Sequence, residues 1–156
     1  MTPAMSSDRK QVAIRAAAES NADGIAQLSC TLGYAATAEV IRQRLSAMLG
    51  SENDLVLVAV NDAGVTIGWI QAHASHVLES GFRVEITGLI VSPDARRCGV
   101  GRALVSRAEE WARQVGAEAI VVRSNAHRVE SHAFYPALGY DVTKTQTVYR
   151  KRLTSS

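Results

Sequence analysis

The stretch of sequence with the clearest chemical potential runs from residue 89 to residue 104. Its apolar start predicts a strand that ends at Val91, and an amphipathic helix begins near Gly101 after a short loop. Gly99 and Gly101 have no side chains, so a ligand can approach the backbone closely there. The first N–H groups of a helix have no acceptor within the helix and lie at the positive end of its dipole. The pattern therefore predicts an anion cradle, best suited to a pyrophosphate, at the start of this helix.

Two well-known phosphate-binding loops do not fit this segment. A Walker loop needs a lysine after its last glycine, and residues 89–104 contain no lysine. A dinucleotide-binding loop needs a third glycine where Leu104 stands, and an acidic residue after the next strand, where Arg123 stands. A glycine-rich helix start with solvated arginines is the remaining alternative to an anion cradle. The arginines that could supply further phosphate donors are Arg96, Arg97 and Arg102.

Strand and helix patterns alternate around this segment and predict a mixed α/β fold. Three strands joined by short loops precede it and form an antiparallel meander. The helix that follows it crosses to a short strand, which implies a parallel pair. We expect a mixed, mostly antiparallel sheet of about six to seven strands with one parallel pair and helices on both faces. The expected strands are 11–17, 55–60, 66–73, 82–91, 119–123 and 142–153, and the expected helices are 20–32, 37–49, 101–115 and 129–138.

Length and composition are typical of one folded domain. The chain has 156 residues, of which 47% are hydrophobic and 21% charged, and we expect a single domain over residues 1–156 with a core at about 11–153 and frayed termini. The net charge of +2 gives no argument for nucleic acid. No apolar run approaches the roughly 18 residues of a membrane span, and two cysteines are too few for a disulfide framework or a zinc site. We expect a cytoplasmic protein that needs no metal and binds neither nucleic acid nor membrane.

Two strings of residues resemble a known family. Residues 96–101 follow the pattern [QR]-x-x-G-x-[GA], which is similar to the acetyl-coenzyme A (acetyl-CoA) loop of the GNAT superfamily of N-acetyltransferases. Residues 134–140, Phe-Tyr-Pro-Ala-Leu-Gly-Tyr, are similar to the family signature F-Y-x-x-L-G-[FY]. The resemblance covers about residues 11–153. It implies a GNAT-like fold and an enzyme that moves acetyl from acetyl-CoA directly to a primary amine.

The resemblance also implies how the chain holds acetyl-CoA. The parallel pair of strands splays apart, the exposed strand backbone bonds the pantetheine arm, and the N–H groups of residues 97–102 bind the pyrophosphate. Arg128 and Ser131 stand where the family often has Asn and Ala, and Asn125 is a candidate replacement in binding. The expected cofactor-binding residues are Leu89, Ile90, Val91, Arg96, Arg97, Cys98, Gly99, Val100, Gly101, Arg102 and Asn125.

Two residues are expected to perform the chemistry. Tyr135 matches the family tyrosine proposed to protonate the departing thiolate, and a tyrosine that only packs beneath the cofactor is the alternative. Glu85, on the strand before the cradle, matches a position where some members carry a catalytic base. Strand alternation would place Glu85, Thr87 and Leu89 on one face. The alternatives are that Glu85 only holds a cationic substrate or is a solvated strand residue.

The sequence says less about the acetyl acceptor and the oligomeric state than about the acetyl-CoA site. We expect a small-molecule amine as acceptor, such as an amino acid, a polyamine or an aminoglycoside-like amine. A protein N-terminus or lysine, and a non-catalytic coenzyme A-binding sensor, are the alternatives. A possible homodimer follows from the last expected strand, which suits a sheet edge. His73 and His76 have no acidic or Cys partner at ligand spacing, so we expect ordinary strand-end histidines.

Overall fold

The computed structural model describes residues 11–123 and 129–154. These residues fall into two compact units that divide after Arg123. Short 3₁₀ segments span Glu19–Asn21 and Pro93–Cys98. No helix in the described part is long and apolar enough to cross a membrane. In chain order the elements are β1 (Ala13–Ala16), α1 (Ala22–Thr31), α2 (Ala38–Leu49), β2 (Asp54–Val60), β3 (Thr66–Val77), β4 (Gly81–Val91), α3 (Val100–Gln114), β5 (Ala119–Val122) and α4 (Val129–Ala137).

The first unit contains one five-stranded sheet in the order β1-β2-β3-β4-β5. Strands β1 to β4 pair antiparallel. Short loops join β2 to β3 and β3 to β4, whereas α1 and α2 lie between β1 and β2. The β4–β5 pair is parallel, because α3 carries the chain back across the sheet between them. The predicted mixed sheet with one parallel pair is therefore confirmed.

Helices pack on both faces of this sheet, as the sequence predicts. On one face, α1 and α2 cover alternate residues of β2, and Trp69 packs against the same cluster. On the other face, α3 covers alternate residues of β3 and β4. The buried residues of the first cluster are Ala17, Ile25, Leu45, Val56, Val58 and Val60, and those of the second are Ala72, Ala74, Val84 and Ala112.

The strand predicted at residues 142–153 is wrong, and the sheet formed by the described residues has five strands instead of six or seven. The large apolar side chains of this segment are almost fully exposed, at 84% for Val142, 79% for Val148, 91% for Tyr149 and 89% for Leu153. The prediction relied on β-propensity, which describes how side chains fit a pleated surface. A strand also needs a partner backbone, and no strand of the described sheet pairs with this segment. The edge-strand argument for a homodimer loses its basis.

Gly81, the first residue of β4, occupies a position where a side chain would displace the carboxylate of the exposed Glu118. Its φ is +83°, and a Cβ there would overlap the carboxylate of Glu118, whose Oε2 accepts a hydrogen bond from the Phe82 amide at 3.0 Å. We expect Gly81→Ala to lower the free energy of unfolding by about 2–4 kcal/mol, because it adds left-handed strain and displaces this acceptor. Gly64→Ala is the control, because Gly64 has a φ of +78° and open space around its Cβ position.

Urea unfolding of both variants measures the difference between them. We expect Gly64→Ala to lose only the strain, about 1–2 kcal/mol. Equal losses in the two variants would show that Glu118 contributes nothing at this turn.

Candidate active site

A slot opens between β4 and β5 because their pairing stops before β4 ends. Ile86 and Val122 form the last pair, and β5 ends there. Strand β4 continues to Val91, so its edge over residues 87–91 has no strand beside it on the β5 side within the described sheet. The backbone of this edge can add an extended ligand as though it were another strand.

The slot begins beside a β-bulge in β4. Gln71 pairs with Gly88, and the next residue of β3, Ala72, pairs with Ile86, so Thr87 is the extra residue. The Thr87 hydroxyl donates a hydrogen bond to the Gln71 carbonyl at 3.4 Å. A bulge bends its strand and redirects the following side chains and amides.

The bulge overturns the predicted common face of Glu85, Thr87 and Leu89. Glu85 pairs with His73 and Leu89 pairs with Ile70, and residues 70 and 73 of one strand point to opposite faces. Leu89 therefore lies on the α3 face, and Glu85 lies on the face covered by α1 and α2. The prediction is wrong because the extra residue reverses the alternation between residues 85 and 89.

Trp69 packs directly over the backbone that follows the bulge. A Cβ at Gly88 would lie 2.7 Å from the Trp69 ring, so only glycine leaves room for the indole. The indole N–H donates to the Ser29 hydroxyl at 3.2 Å, and that hydroxyl donates to the Ile25 carbonyl at 2.7 Å. These contacts fix α1 against the sheet beside the bulge.

The start of α3 has the geometry of the predicted anion cradle. Gly99 precedes the helix with a left-handed φ of +75°, and a Cβ there would meet no atom within 4 Å. The Ala103 amide donates to the Gly99 carbonyl at 3.0 Å. The amides of Val100, Gly101 and Arg102 come before this first helical bond, so helix geometry leaves them available to an anion.

The other residues expected at the cradle have different surroundings. Arg96 lies along the end of β4, where its Nε donates to the Val91 carbonyl at 3.3 Å. Arg102 and Cys98 are exposed, and the Cys98 thiol is free. Ile90 is buried and pairs with Trp69. The Arg97 side chain and Asn125 lie outside the described residues.

Glu85 lies between two arginines that sequence reasoning did not connect with it. The Arg83 Nη2 lies 3.8 Å and the Arg123 Nε lies 3.6 Å from Glu85 Oε1. The side chains of Glu85 and Arg83 are mostly buried, whereas that of Arg123 is 60% exposed. The missed signal was register, because Val121, two residues before Arg123, is the partner of Glu85 on β5.

His73 has an acidic partner, contrary to the sequence expectation. Its Nδ1 lies 2.8 Å from Asp54 Oδ1, and the two residues are paired across β2 and β3. They are 19 positions apart in the chain, so residue spacing alone could not reveal the pair. His76 instead packs its ring against Phe82, with centroids 4.6 Å apart.

Tyr135 lies in the second unit, on α4, and is half-buried. Its carbonyl accepts hydrogen bonds from the amides of Leu138 at 3.0 Å and Tyr140 at 3.1 Å. Its ring packs edge-on against Phe134 and Tyr140, with centroids 5.0 and 5.8 Å away. The three aromatic side chains of residues 134–140 therefore pack against one another. Arg128 lies outside the described residues.

Comparison with known proteins assigns these features to a family. Residues 25–140 match the profile of the acetyltransferase (GNAT) family. The chain belongs to this family. The GNAT assignment confirms the resemblance inferred from residues 96–101 and 134–140, and it makes the protein an acetyl-CoA-dependent N-acetyltransferase.

Relatives of this GNAT acetyltransferase include enzymes named for small amines. An aminoglycoside N(6')-acetyltransferase type 1 of Stenotrophomonas maltophilia is 28% identical over 86% of this chain and 91% of its own. An aminoalkylphosphonate N-acetyltransferase of Salmonella typhimurium is 37% identical over 49% of this chain and 51% of its own.

Solved structures show the same fold. The aminoglycoside 6'-N-acetyltransferase AAC(6')-Ih of Acinetobacter baumannii superposes with a TM-score of 0.80 and 23% identity, over 92% of this chain and all of that one (100%). The aminoglycoside N-acetyltransferase AAC(6')-Iy in complex with CoA gives a TM-score of 0.81 and 22% identity, over 92% of this chain and 96% of that one.

The described residues of this GNAT acetyltransferase fit acetyl-CoA. The open edge of β4 suits an extended pantetheine arm, and the α3 amides, with free space around Gly99, suit a pyrophosphate. Within residues 11–123 and 129–154, no group of three or more His, Cys, Asp or Glu side chains could hold a metal ion.

Proposed function

We propose that this enzyme transfers acetyl from acetyl-CoA directly to the primary amine of a small molecule. The position of Glu85 carries the proposal, because this carboxylate lies on the α1–α2 face just before the β4 bulge and the β4–β5 opening. The names of the relatives, which specify aminoglycosides and aminoalkylphosphonates, support a small-molecule acceptor.

We propose that the main chain binds most of acetyl-CoA. The backbone of Leu89, Ile90 and Val91 would bond the pantetheine arm along the open edge of β4, and the amides from Arg97 to Arg102 would bind the pyrophosphate. If the main chain binds the pyrophosphate, replacing a glycine of this loop should weaken acetyl-CoA binding more than replacing one of the surrounding side chains. Asn125 stays a further candidate contact.

The reaction requires one proton to leave the acceptor nitrogen and one to reach the CoA sulfur. The amine must be neutral before it attacks, and Glu85 takes its proton directly or through a water molecule. The nitrogen then bonds to the acetyl carbon, the carbon–sulfur bond breaks, and the Tyr135 hydroxyl supplies the proton to the thiolate. A backbone N–H at the bulge stabilises the negative charge that develops on the carbonyl oxygen.

Thiol release from acetyl-CoA, measured with a panel of amines, tests the proposed function. The panel contains small amines, a peptide with a free N-terminus and a peptide with an internal lysine. We expect turnover with small amines. Turnover only with peptides would move the assignment to a protein acetyltransferase, and CoA binding without any turnover would indicate a sensor.

Glu85→Gln tests the proton acceptor. We expect kcat/KM for the amine to fall about tenfold or more at pH 7, because an amide cannot accept the proton. The deficit should shrink as the pH rises towards about 10.4, the ordinary pKa of an alkyl amine, because a growing fraction of the amine is then already neutral. Glu110→Gln, on the exposed side of α3, is the matched control. If the loss of kcat/KM is the same at every pH, Glu85 does not accept the proton and serves only to hold the substrate through its charge.

We also propose a cytoplasmic enzyme with a single catalytic domain. The two cysteines, Cys30 and Cys98, are both exposed and free, which supports a reducing compartment. A homodimer stays a prediction, and light scattering of the purified protein would decide it.

A further inference from the structure

We infer that the acceptor carries an anionic group as well as its amine, and that Arg83 and Arg123 bind this anion. The acid group would be a carboxylate, phosphonate or phosphate a few bonds from the amine. This inference rests on the proposed function, because it places the acceptor amine beside Glu85.

The three side chains form one cluster that starts within the β4–β5 pairing and extends to the level where the two strands separate. Arg83 and Glu85 are two residues apart on β4, so they share a face of the sheet. Arg123 follows the end of β5 directly, at the level where the two strands separate. Both guanidinium groups lie within 4 Å of the Glu85 carboxylate. An amine at Glu85 would therefore have cationic groups a few ångströms away.

Glu85 does not satisfy the donors of these arginines. The N···O distances of 3.8 and 3.6 Å are ion-pair contacts and exceed the usual hydrogen-bond length. The Nε of Arg83 is buried and has no hydrogen-bond partner among the described residues. A buried donor without a partner is costly, and an anionic ligand at this cluster would supply the missing acceptors.

The balance of charge favours a zwitterion over a polycation. Two guanidinium groups face one carboxylate, and Asp54, a carboxylate on the same face of the sheet, is already held by His73 at 2.8 Å. An acceptor with several amines would add positive charge beside Arg83 and Arg123. A carboxylate or phosphonate matches the planar fork of a guanidinium and can form paired, charge-assisted hydrogen bonds with it.

The test compares matched amines as acetyl acceptors for the purified enzyme. The acidic probes are 2-aminoethylphosphonate and β-alanine, ethylamine and propylamine are their counterparts without the acid group, and kanamycin is the polycation. We expect kcat/KM for the better acidic probe to exceed that of its counterpart without the acid group at least tenfold. Turnover of ethylamine, propylamine or kanamycin at an equal or higher kcat/KM would overturn the inference and leave the proposed function intact.

Variants of the two arginines test the site itself. We expect Arg83→Gln and Arg123→Gln each to raise the KM for 2-aminoethylphosphonate about tenfold, with the KM for ethylamine changed less than threefold. Arg113→Gln, on an exposed position of α3, should change neither. Arg123 is more than half exposed, so its variant keeps the test valid should Arg83→Gln fail to fold. Equal losses for both amines would overturn the inference.

A binding measurement distinguishes failure of the inference from failure of the proposed function. Titration calorimetry of 2-aminoethylphosphonate into the protein–CoA complex needs no turnover. Should no amine be acetylated, the proposed function is wrong. Binding that weakens in Arg83→Gln or Arg123→Gln would still support an anion site, and absence of binding would overturn it.

Discussion

Replacement of Gly99 by aspartate is expected to raise the KM for acetyl-CoA about 100-fold relative to replacement by asparagine. Gly99 has a φ of +75°, a region that Asn and Asp tolerate better than other side chains. A Cβ there meets no atom within 4 Å, so both variants should fold. The aspartate would place a negative charge beside the amides expected to bind the pyrophosphate. Two like charges about 5 Å apart repel by about 3 kcal/mol at an effective dielectric constant of 20, which is roughly 100-fold in affinity.

The asparagine variant is the control for shape and backbone strain, because the two side chains are nearly equal in size. Calorimetry with CoA and the KM for acetyl-CoA measure binding, and the KM for the amine should stay unchanged in both variants. Added salt should reduce the difference in acetyl-CoA affinity between the aspartate and asparagine variants, since salt screens exposed charges. If the two variants bind acetyl-CoA equally well, the start of α3 does not bind the pyrophosphate.

Elements set by local sequence were predictable with good accuracy. Helix α2 follows Thr37, whose hydroxyl accepts a hydrogen bond from the Val40 amide at 3.2 Å, and it ends at Gly50. Helix α3 ends before Gly116, which has a φ of +83°. Caps and apolar periodicity depend on residues within one or two turns, so a single sequence contains the information needed.

Features that depend on pairing between distant residues were missed. The bulge at Thr87 separates the faces of Glu85 and Leu89, and no local pattern marks it. Register likewise decides which side chains surround Glu85, and it brings Arg123 beside a residue 38 positions earlier in the chain. Local propensity cannot supply a partner strand, which is why the strand predicted at residues 142–153 is absent from the described sheet.

Replacement of Tyr135 by phenylalanine is expected to lower kcat about 100-fold. The change removes only the hydroxyl, and a positioned general acid typically contributes a factor of about 10² to 10⁴. The aromatic contacts of the ring with Phe134 and Tyr140 need no hydroxyl, so the local packing should survive. The KM for acetyl-CoA should stay within about threefold of the wild-type value, because the proton is needed only as the carbon–sulfur bond breaks.

Tyr140→Phe is the matched control for this variant. Tyr140 belongs to the same aromatic cluster, 5.8 Å from Tyr135 between ring centroids, and it loses the same hydroxyl. A role in packing alone would give the two variants similar, small losses, together with similar drops in melting temperature. A general acid would give a large loss of kcat in Tyr135→Phe alone, with the melting temperatures of both variants close to that of the wild type. A rise in the KM for acetyl-CoA without a change in kcat would instead make Tyr135 part of the surface that binds the cofactor.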